Sequence, residues 1–453
     1  STWSWQANSA SSQEKVFTIT RITERRLLSL HNFHNPTYLD LKMAEIAPFK
    51  AIRPSKKYLQ NFSSKSYKSY SEKELKDTLE KNPLSFLSVI HLKKYLSGSL
   101  TKSERYQLVK HKFEDLKTKK VLIKDTSPAF YIYETKQEDG HLFCGIIAGA
   151  SVKDYNTNVI KKHEATIKKR ENTFKSYLKA VRFNAAPVLL TFPDDPNIEK
   201  AIETAKENAQ EINAWSTEHE IHKVWCINNV SDITILTKAF ANVPYLYIAD
   251  GHHRSASSAL LASEMDSNPL AQKDKAYTHF LSYLIPETQL KVYDYNRLIK
   301  NLNGLTPKAY LDKVKLVFNV ESKGPSSYAS ACKNEISMYL SGSFYSLSLR
   351  DSMQNNATAI SQLDTQILQT HLLKPILGIT NERTDKRISY IHGKDSMSQI
   401  KTAVDSGEQA VGFGLFPIQT KELKAIADSG AVMPPKSTYI YPKLRSGITI
   451  YEF

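Results

Sequence analysis

Tyr245-Leu246-Tyr247-Ile248-Ala249-Asp250-Gly251-His252-His253-Arg254 is the stretch on which the fold turns. Its first five residues are apolar or aromatic and read as a buried strand, while the run Ala256–Met265, rich in small and apolar residues, reads as a helix. A strand that passes through Asp250-Gly251 into a helix starting near His253 presents free backbone N–H groups at the turn. Those groups and the positive end of the helix dipole favour an anion. Gly251 admits a positive φ or a close approach by a ligand. His252, His253 and Arg254 add side-chain donors, and the Arg254 guanidinium fits phosphate oxygens as a two-pronged fork. Asp250 suits three tasks: holding a magnesium ion, orienting a substrate amine or hydroxyl, or capping the helix. A cap accounts for Asp250 and leaves the two histidines and the arginine behind it unexplained.

Upstream, Pro187–Phe192 and Lys223–Ile227 read as strands, and Ile198–Ile212 and Ile233–Phe240 as helices. This alternation predicts an α/β core over 151–265. Ile167, Phe174, Leu178 and Val181 recur at helical spacing, which predicts one amphipathic helix over Glu164–Val181. At its start stands His163-Glu164-Ala165-Thr166-Ile167-Lys168-Lys169-Arg170. His163 and Arg170, seven residues apart, share a face if both are helical. Glu164 serves there either as a general base or as a complement to the helix dipole. A metalloprotease HExxH motif is excluded, because Ile167 occupies the place of its second histidine. Neither GxxxxGK[ST] nor a GxGxxG turn after a strand occurs, so any nucleotide is held by another arrangement.

The flanks are of mixed character. Over 43–150 the pattern predicts a helix near Ser71–Glu80, a turn at Asn82 feeding an apolar strand to Ile90, and a charged helix over Lys102–Leu116. Ala129–Glu134 and Leu142–Ile147 then form a hairpin around Gln137-Glu138-Asp139-Gly140. Over 266–453 it predicts paired strands at Phe280–Ile285 and Gln289–Tyr293, a helix over Leu363–Leu373, and strands at Arg387–Ile391 and Val411–Phe416. Near the end, Met433-Pro434-Pro435-Lys436-Ser437-Thr438 precedes Lys443 and Arg445. Lys436, Ser437 and Arg445 suit contacts to an anionic ligand, and equally the packing of a terminal strand. Ser1–Lys42 has no fold pattern and no apolar signal core, and reads as an extension ahead of a native start at Met43.

Composition bounds the rest. With 453 residues, 41% hydrophobic and 24% charged, the chain has the make-up of a folded protein of two or three domains. No apolar run approaches the roughly 18–20 residues of a membrane span, so no membrane partner is expected. Cys144, Cys226 and Cys332 are odd in number and far apart, which fits a reducing, cytoplasmic setting and excludes a disulfide framework. The net charge of +15 is concentrated in Lys50–Lys120, where 18 Lys and Arg face 7 Asp and Glu. Lysine dominates that surplus, as on a solvated surface, so nucleic acid is a less favoured partner than a nucleotide and a small-molecule substrate.

His163-Glu164, Thr166-Ile167 and Arg170, followed by a helix, a Pro-initiated strand and Asp250–Arg254, resemble the free-serine kinases of the ParB/sulfiredoxin-like fold. From Met43 on, the chain also looks like the family catalogued as domain of unknown function ten-fifteen, through Pro48–Pro54, Asn82–Phe86, Ile160–Glu164, Ile248–Arg254, Arg297–Gly304 and Met433–Gly447. The resemblance implies an α+β, multi-domain chain with a ParB/sulfiredoxin-like core over 151–265. It implies phosphoryl transfer from ATP or ADP, with Mg2+, to the hydroxyl of L-serine. By the same resemblance Glu164 is the base, Asp250 places substrate or magnesium, and Gly251, His252, His253 and Arg254 hold the phosphate. His163 and Arg170 support them. The other reading is a non-catalytic nucleotide-operated switch or a nucleic-acid-associated protein, since ParB-like folds also serve as switches on DNA, and under it the basic Lys50–Lys120 region binds nucleic acid.

Overall fold

A computed structural model describes residues 43–66, 69–90, 100–217, 219–267, 275–354, 358–393 and 395–453. The proposed extension Ser1–Lys42 lies outside the described residues, as do positions 91–99 of the basic region. The fold is α+β, and its centre is a nine-stranded mixed sheet.

The strands of that sheet are β1 (Ile46–Ala47), β2 (Phe130–Gln137), β3 (Leu142–Ser151), β4 (Ile160–Lys161), β5 (Val188–Phe192), β6 (Glu211–Ser216), β7 (Glu220–Ile227), β8 (Leu246–Asp250) and β9 (His279–Pro286). Their order is β4-β8-β5-β9-β3-β2-β7-β6, with β1 pairing on β3. The β4–β8 and β5–β9 pairs are parallel and the other pairs antiparallel. The expected hairpin is β2–β3, in register from Tyr131 opposite Ile147. Alternation along β3 sends Ile146, Ala148 and Ala150 to one face and Phe143 and Ile147 to the other. Both faces are covered, so β3 and β5 read as continuous apolar runs rather than as alternating ones.

The helices used below are α1 (Lys102–Thr118), α2 (Lys168–Val181), α3 (Pro196–Asn208), α4 (Val230–Phe240) and α5 (His252–Asp266). α1 starts with a capping box between Thr101 and Glu104, and α3 with Asp195 as cap and Pro196 in its first turn. Ile198 and Ile202 of α3, Leu236 and Phe240 of α4, and Ala259 and Ala262 of α5 cover one face of the sheet. Burial of side chains the size of Leu236 or Phe240 contributes about 1.5–3 kcal/mol each. The other face is covered from far along the chain, by Leu423, Ile426, Met433, Ile440, Ile448 and Tyr451.

A second, all-antiparallel sheet follows, with strands β10 (Asn296–Ile299), β11 (Phe318–Gly324), β12 (Glu335–Leu340), β13 (Ser343–Leu349), β14 (Ile388–Ile391) and β15 (Val411–Leu415). Its order is β11-β13-β12-β15-β10-β14. The sheet has a core of its own around Tyr310, Phe318, Met338, Leu372 and Phe413.

The structure differs from the sequence pattern in five places. Leu87–Ile90 is a helical turn rather than a strand, with the Phe86 N–H donating to the Phe62 carbonyl at 2.7 Å. A short apolar run carries no period that separates the two outcomes. α2 begins at Lys168, not Glu164, because the backbone of His163 is engaged elsewhere. Its carbonyl accepts from the Met433 N–H at 2.9 Å. His163 and Arg170 therefore do not share a helix face. α3 stops at Asn208, and Glu211–Ser216 becomes β6. Lys291–Tyr293 pairs with Tyr439–Tyr441 and not with β9. Finally, the nine-stranded sheet takes strands from 43–150, from 151–265 and from beyond 266, so sheet membership crosses both of those boundaries.

Candidate active site

The parallel pairing of β4 with β8 brings the two sequence constellations together. Ile160 lies opposite Leu246 and Lys161 opposite Tyr247. Glu164 follows β4 and Asp250 ends β8, and the Asp250 charge acts on the Glu164 carboxyl although the two are 86 residues apart in the chain. The His163 backbone N–H donates to His252 Nε2 at 3.4 Å, and the two imidazoles meet edge to face with centroids 4.5 Å apart. A ring nitrogen that accepts a bond carries no proton, so neutral His252 is protonated at Nδ1. That Nδ1–H lies 3.6 Å from Glu164 Oε2, just beyond hydrogen-bond length, and is placed to orient the carboxylate.

Gly251 turns the chain from β8 into α5 with φ +108°, and no side chain caps the helix. The Arg254 and Ser255 N–H groups bond back to the Gly251 carbonyl. Arg254 Nη2 donates to Asp250 Oδ2 at 2.9 Å, and its Nη1 donates to the Pro187 carbonyl. The guanidinium is thereby fixed beside the helix start. His253 is half-buried on the first turn, and its carbonyl accepts from Ser257 Oγ at 2.6 Å.

Charge around the turn is strongly perturbed. Burial pushes the His163 imidazole down to about 4, with Asp250 opposing. Burial first, then His163, His253 and Arg254, hold His252 well below the usual histidine range. Both rings are therefore neutral at pH 7, and His163 Nδ1 is a buried nitrogen with no protein partner. Loss of water and then the Asp250 charge push the Glu164 carboxyl up, while Arg383, Lys436 and Arg170 pull it down. Lys443 is pushed down by burial, with Asp250 opposing and Arg254 and Lys436 adding to the depression. Two carboxylates thus stand among five cations, Arg170, Arg254, Arg383, Lys436 and Lys443.

Of Lys436, Ser437 and Arg445, only Lys436 belongs to this group. It adopts φ +58° and donates to Tyr295 Oη at 3.1 Å. Ser437 is buried, donates to the Pro434 carbonyl at 2.8 Å and lies 3.4 Å from Thr365 Oγ1. Arg445 is bound by Ser63, through Oγ at 3.0 Å and the carbonyl at 2.7 Å. The sequence pattern missed Arg383, which lies in a polar turn more than 200 residues from His163 and follows no motif. Glu382 beside it forms a fully buried ion pair with Arg297, at 3.2 Å, which anchors that turn to the second sheet.

Among the described residues no group of three His, Cys, Asp or Glu side chains is arranged to hold a metal. Magnesium usually needs only one or two carboxylates, its remaining ligands being water and substrate phosphate. Asp250, whose Oδ2 accepts from Arg254 Nη2, is the carboxylate at the turn itself. No described helix is long and apolar enough to cross a membrane.

The family described as Protein of unknown function (DUF1015) matches residues 46–366. The chain belongs to that family. No curated protein matches it. Among solved structures it is similar to SbnI with a C-terminal truncation from Staphylococcus aureus, at 14% identity and TM-score 0.34, over 65% of this chain and 82% of that one. It is also similar to a free serine kinase in complex with AMP, at 12% identity and TM-score 0.32, over 67% of this chain and 91% of that one. A variant of a free serine kinase in complex with ADP aligns over the same shares at 11% identity and TM-score 0.34.

Proposed function

We propose that this member of the family is a phosphotransferase that moves a phosphoryl group from ATP or ADP to the hydroxyl of a small metabolite, free L-serine by resemblance. One observation carries the reading: Glu164 and Asp250 feel each other's charge beside the start of α5, among five cations. Phosphoryl transfer asks a protein mainly for positioning and for charge compensation, and these residues supply both.

In this reading Glu164 accepts the proton of the attacking hydroxyl, with His252 Nδ1 3.6 Å from its Oε2. The hydroxyl oxygen forms the new bond to the terminal phosphorus, and the bond from that phosphorus to the bridging oxygen breaks. The leaving nucleotide is ADP or AMP, according to the donor. The start of α5, with Arg254 and Lys443, holds the phosphoryl oxygens as charge builds on them. Bound magnesium would neutralise the donor's phosphates, with Asp250 as its protein ligand. A cytoplasmic setting agrees with three free cysteines, Cys144, Cys226 and Cys332.

Incubation with L-serine, Mg2+ and ATP or ADP, with chromatographic detection of O-phosphoserine, tests the proposal. Product with either donor supports it. Absence of product with both donors, and with threonine and homoserine as acceptors, overturns it in favour of a nucleotide-binding switch.

A further inference from the structure

Beside the phosphate turn lies a group of aromatic rings that the phosphoryl chemistry does not use. His392 and Tyr439 stack with centroids 3.6 Å apart and planes 18° from parallel. Tyr295 stands edge-on to both, at 5.5 Å from His392 and 5.9 Å from Tyr439, and is backed by Tyr390 at 5.5 Å. Two of the site's cations are set on these rings: Lys443 Nζ lies 4.5 Å from the Tyr439 centroid, and Lys436 Nζ lies 5.1 Å from that of Tyr295. The backbone ties the group to the turn, since the segment that carries Lys436, Tyr439 and Lys443 starts at Met433, whose N–H bonds the His163 carbonyl at 2.9 Å. Within that segment Tyr439–Tyr441 is fixed as a strand against Lys291–Tyr293.

His392 is the outer member of the stack and is exposed, while Tyr439 beneath it is half-buried. An exposed ring already seated on a second ring offers its free face to one more planar group. Cations at the edge of the same stack draw a ligand that is anionic at one end and aromatic at the other. A nucleotide has that form, and stacking on it is tolerant of which base is present.

We propose that His392, seated on Tyr439 and flanked by Tyr295, is the platform on which the donor's nucleobase stacks while its phosphates reach the α5 turn. The inference rests on the nucleotide part of the proposed function and adds to it where the base lies. Recognition comes from ring faces and two lysines rather than from hydrogen bonds to base edges, so ATP and GTP are both accepted. Loss of water on its seated face, then the neighbouring Lys443 and Lys436, push the His392 imidazole below its usual range, with Asp294 opposing.

Calorimetric titration of the full chain with ADP, with GDP and with inorganic pyrophosphate tests the platform without any need for turnover. In His392→Ala the affinities for ADP and GDP should fall roughly tenfold, the loss of one stacked ring, while pyrophosphate binding stays unchanged. His392→Phe should restore both nucleotides. Unchanged ADP affinity in His392→Ala overturns the platform, and so does a pyrophosphate affinity that falls in parallel. If the wild-type chain makes no O-phosphoserine yet loses ADP selectively in His392→Ala, the kinase reading fails and the platform stands. If the wild-type chain makes O-phosphoserine and His392→Ala keeps its KM for ATP, the platform fails and the kinase reading stands.

Discussion

Replacing Gly251 by alanine tests the turn at its tightest point. The residue has φ +108°, which an L side chain rarely adopts, so alanine carries backbone strain of about 1–3 kcal/mol. Its Cβ would stand 3.0 Å from Arg254 Nε and Nη2 and 3.1 Å from Cζ. The guanidinium cannot swing aside freely, being bonded to Asp250 Oδ2 and to the Pro187 carbonyl. It must shift by a few tenths of an ångström and give up part of that geometry. The Arg254–Asp250 pair is itself 28% and 48% exposed, so its loss adds only about 0–1 kcal/mol to the destabilisation. The effect on a bound anion is of similar size, because a charged hydrogen bond is worth about 1.5–3 kcal/mol, or roughly ten- to a hundredfold in affinity. Urea denaturation and calorimetric titration with ADP, on the same preparation, separate the two effects. A Gly251→Ala variant with the wild-type unfolding midpoint and wild-type ADP affinity would refute the account of this turn.

Glu164→Gln should lower kcat by about 10²–10⁴-fold, as removal of a general base does, with little change in the KM for nucleotide. The ionised carboxylate is the active form, and its folded value is raised by loss of water and by Asp250. The rate should therefore fall as pH drops through that raised value, giving an acid limb above the ordinary carboxylate range. A pH–rate profile checks this, and a limb that persists in Glu164→Gln assigns it to another group. In the second sheet, Glu382→Ala would leave Arg297 buried without its carboxylate, at a cost of about 3–5 kcal/mol. Thermal unfolding should show that loss, and the double variant Arg297→Met, Glu382→Leu should recover most of it.

The strand, glycine and helix at Asp250 were legible because each leaves a local signature: an apolar run, a residue free to take positive φ, and a small-residue helix. The β2–β3 hairpin and the capped helix α1 were legible for the same reason. Where Glu164 sits was not. Its helical spacing was real from Lys168 onward, but the backbone of His163 is spent on Met433 and His252, and only the folded molecule puts those within reach. The pairing of Lys291–Tyr293 with Tyr439–Tyr441 was hidden for a like reason, since strands nearly 150 residues apart leave no trace in spacing. Arg383 and His392 stand in polar surroundings that resemble any surface loop. Their meaning comes from what the second sheet and the C-terminal segment carry toward Asp250.

The two-residue strand β4 has a consequence for how the molecule moves. It lies at the edge of the sheet, joined to β8 at Leu246 and Tyr247, and is separated from His163 and Glu164 by Lys162 alone. Short edge strands open at a smaller free-energy cost than the interior of a sheet. Opening there would part the carboxylate of Glu164 from the Asp250 turn while β5, β9 and β3 stayed intact. The Met433–His163 bond then acts as a clasp, because it ties the fraying edge to a segment anchored on the opposite face. If Glu164 is the base proposed above, such a local opening would set the fraction of molecules with it in place. Amide exchange at Met433 and Leu246 would report it directly.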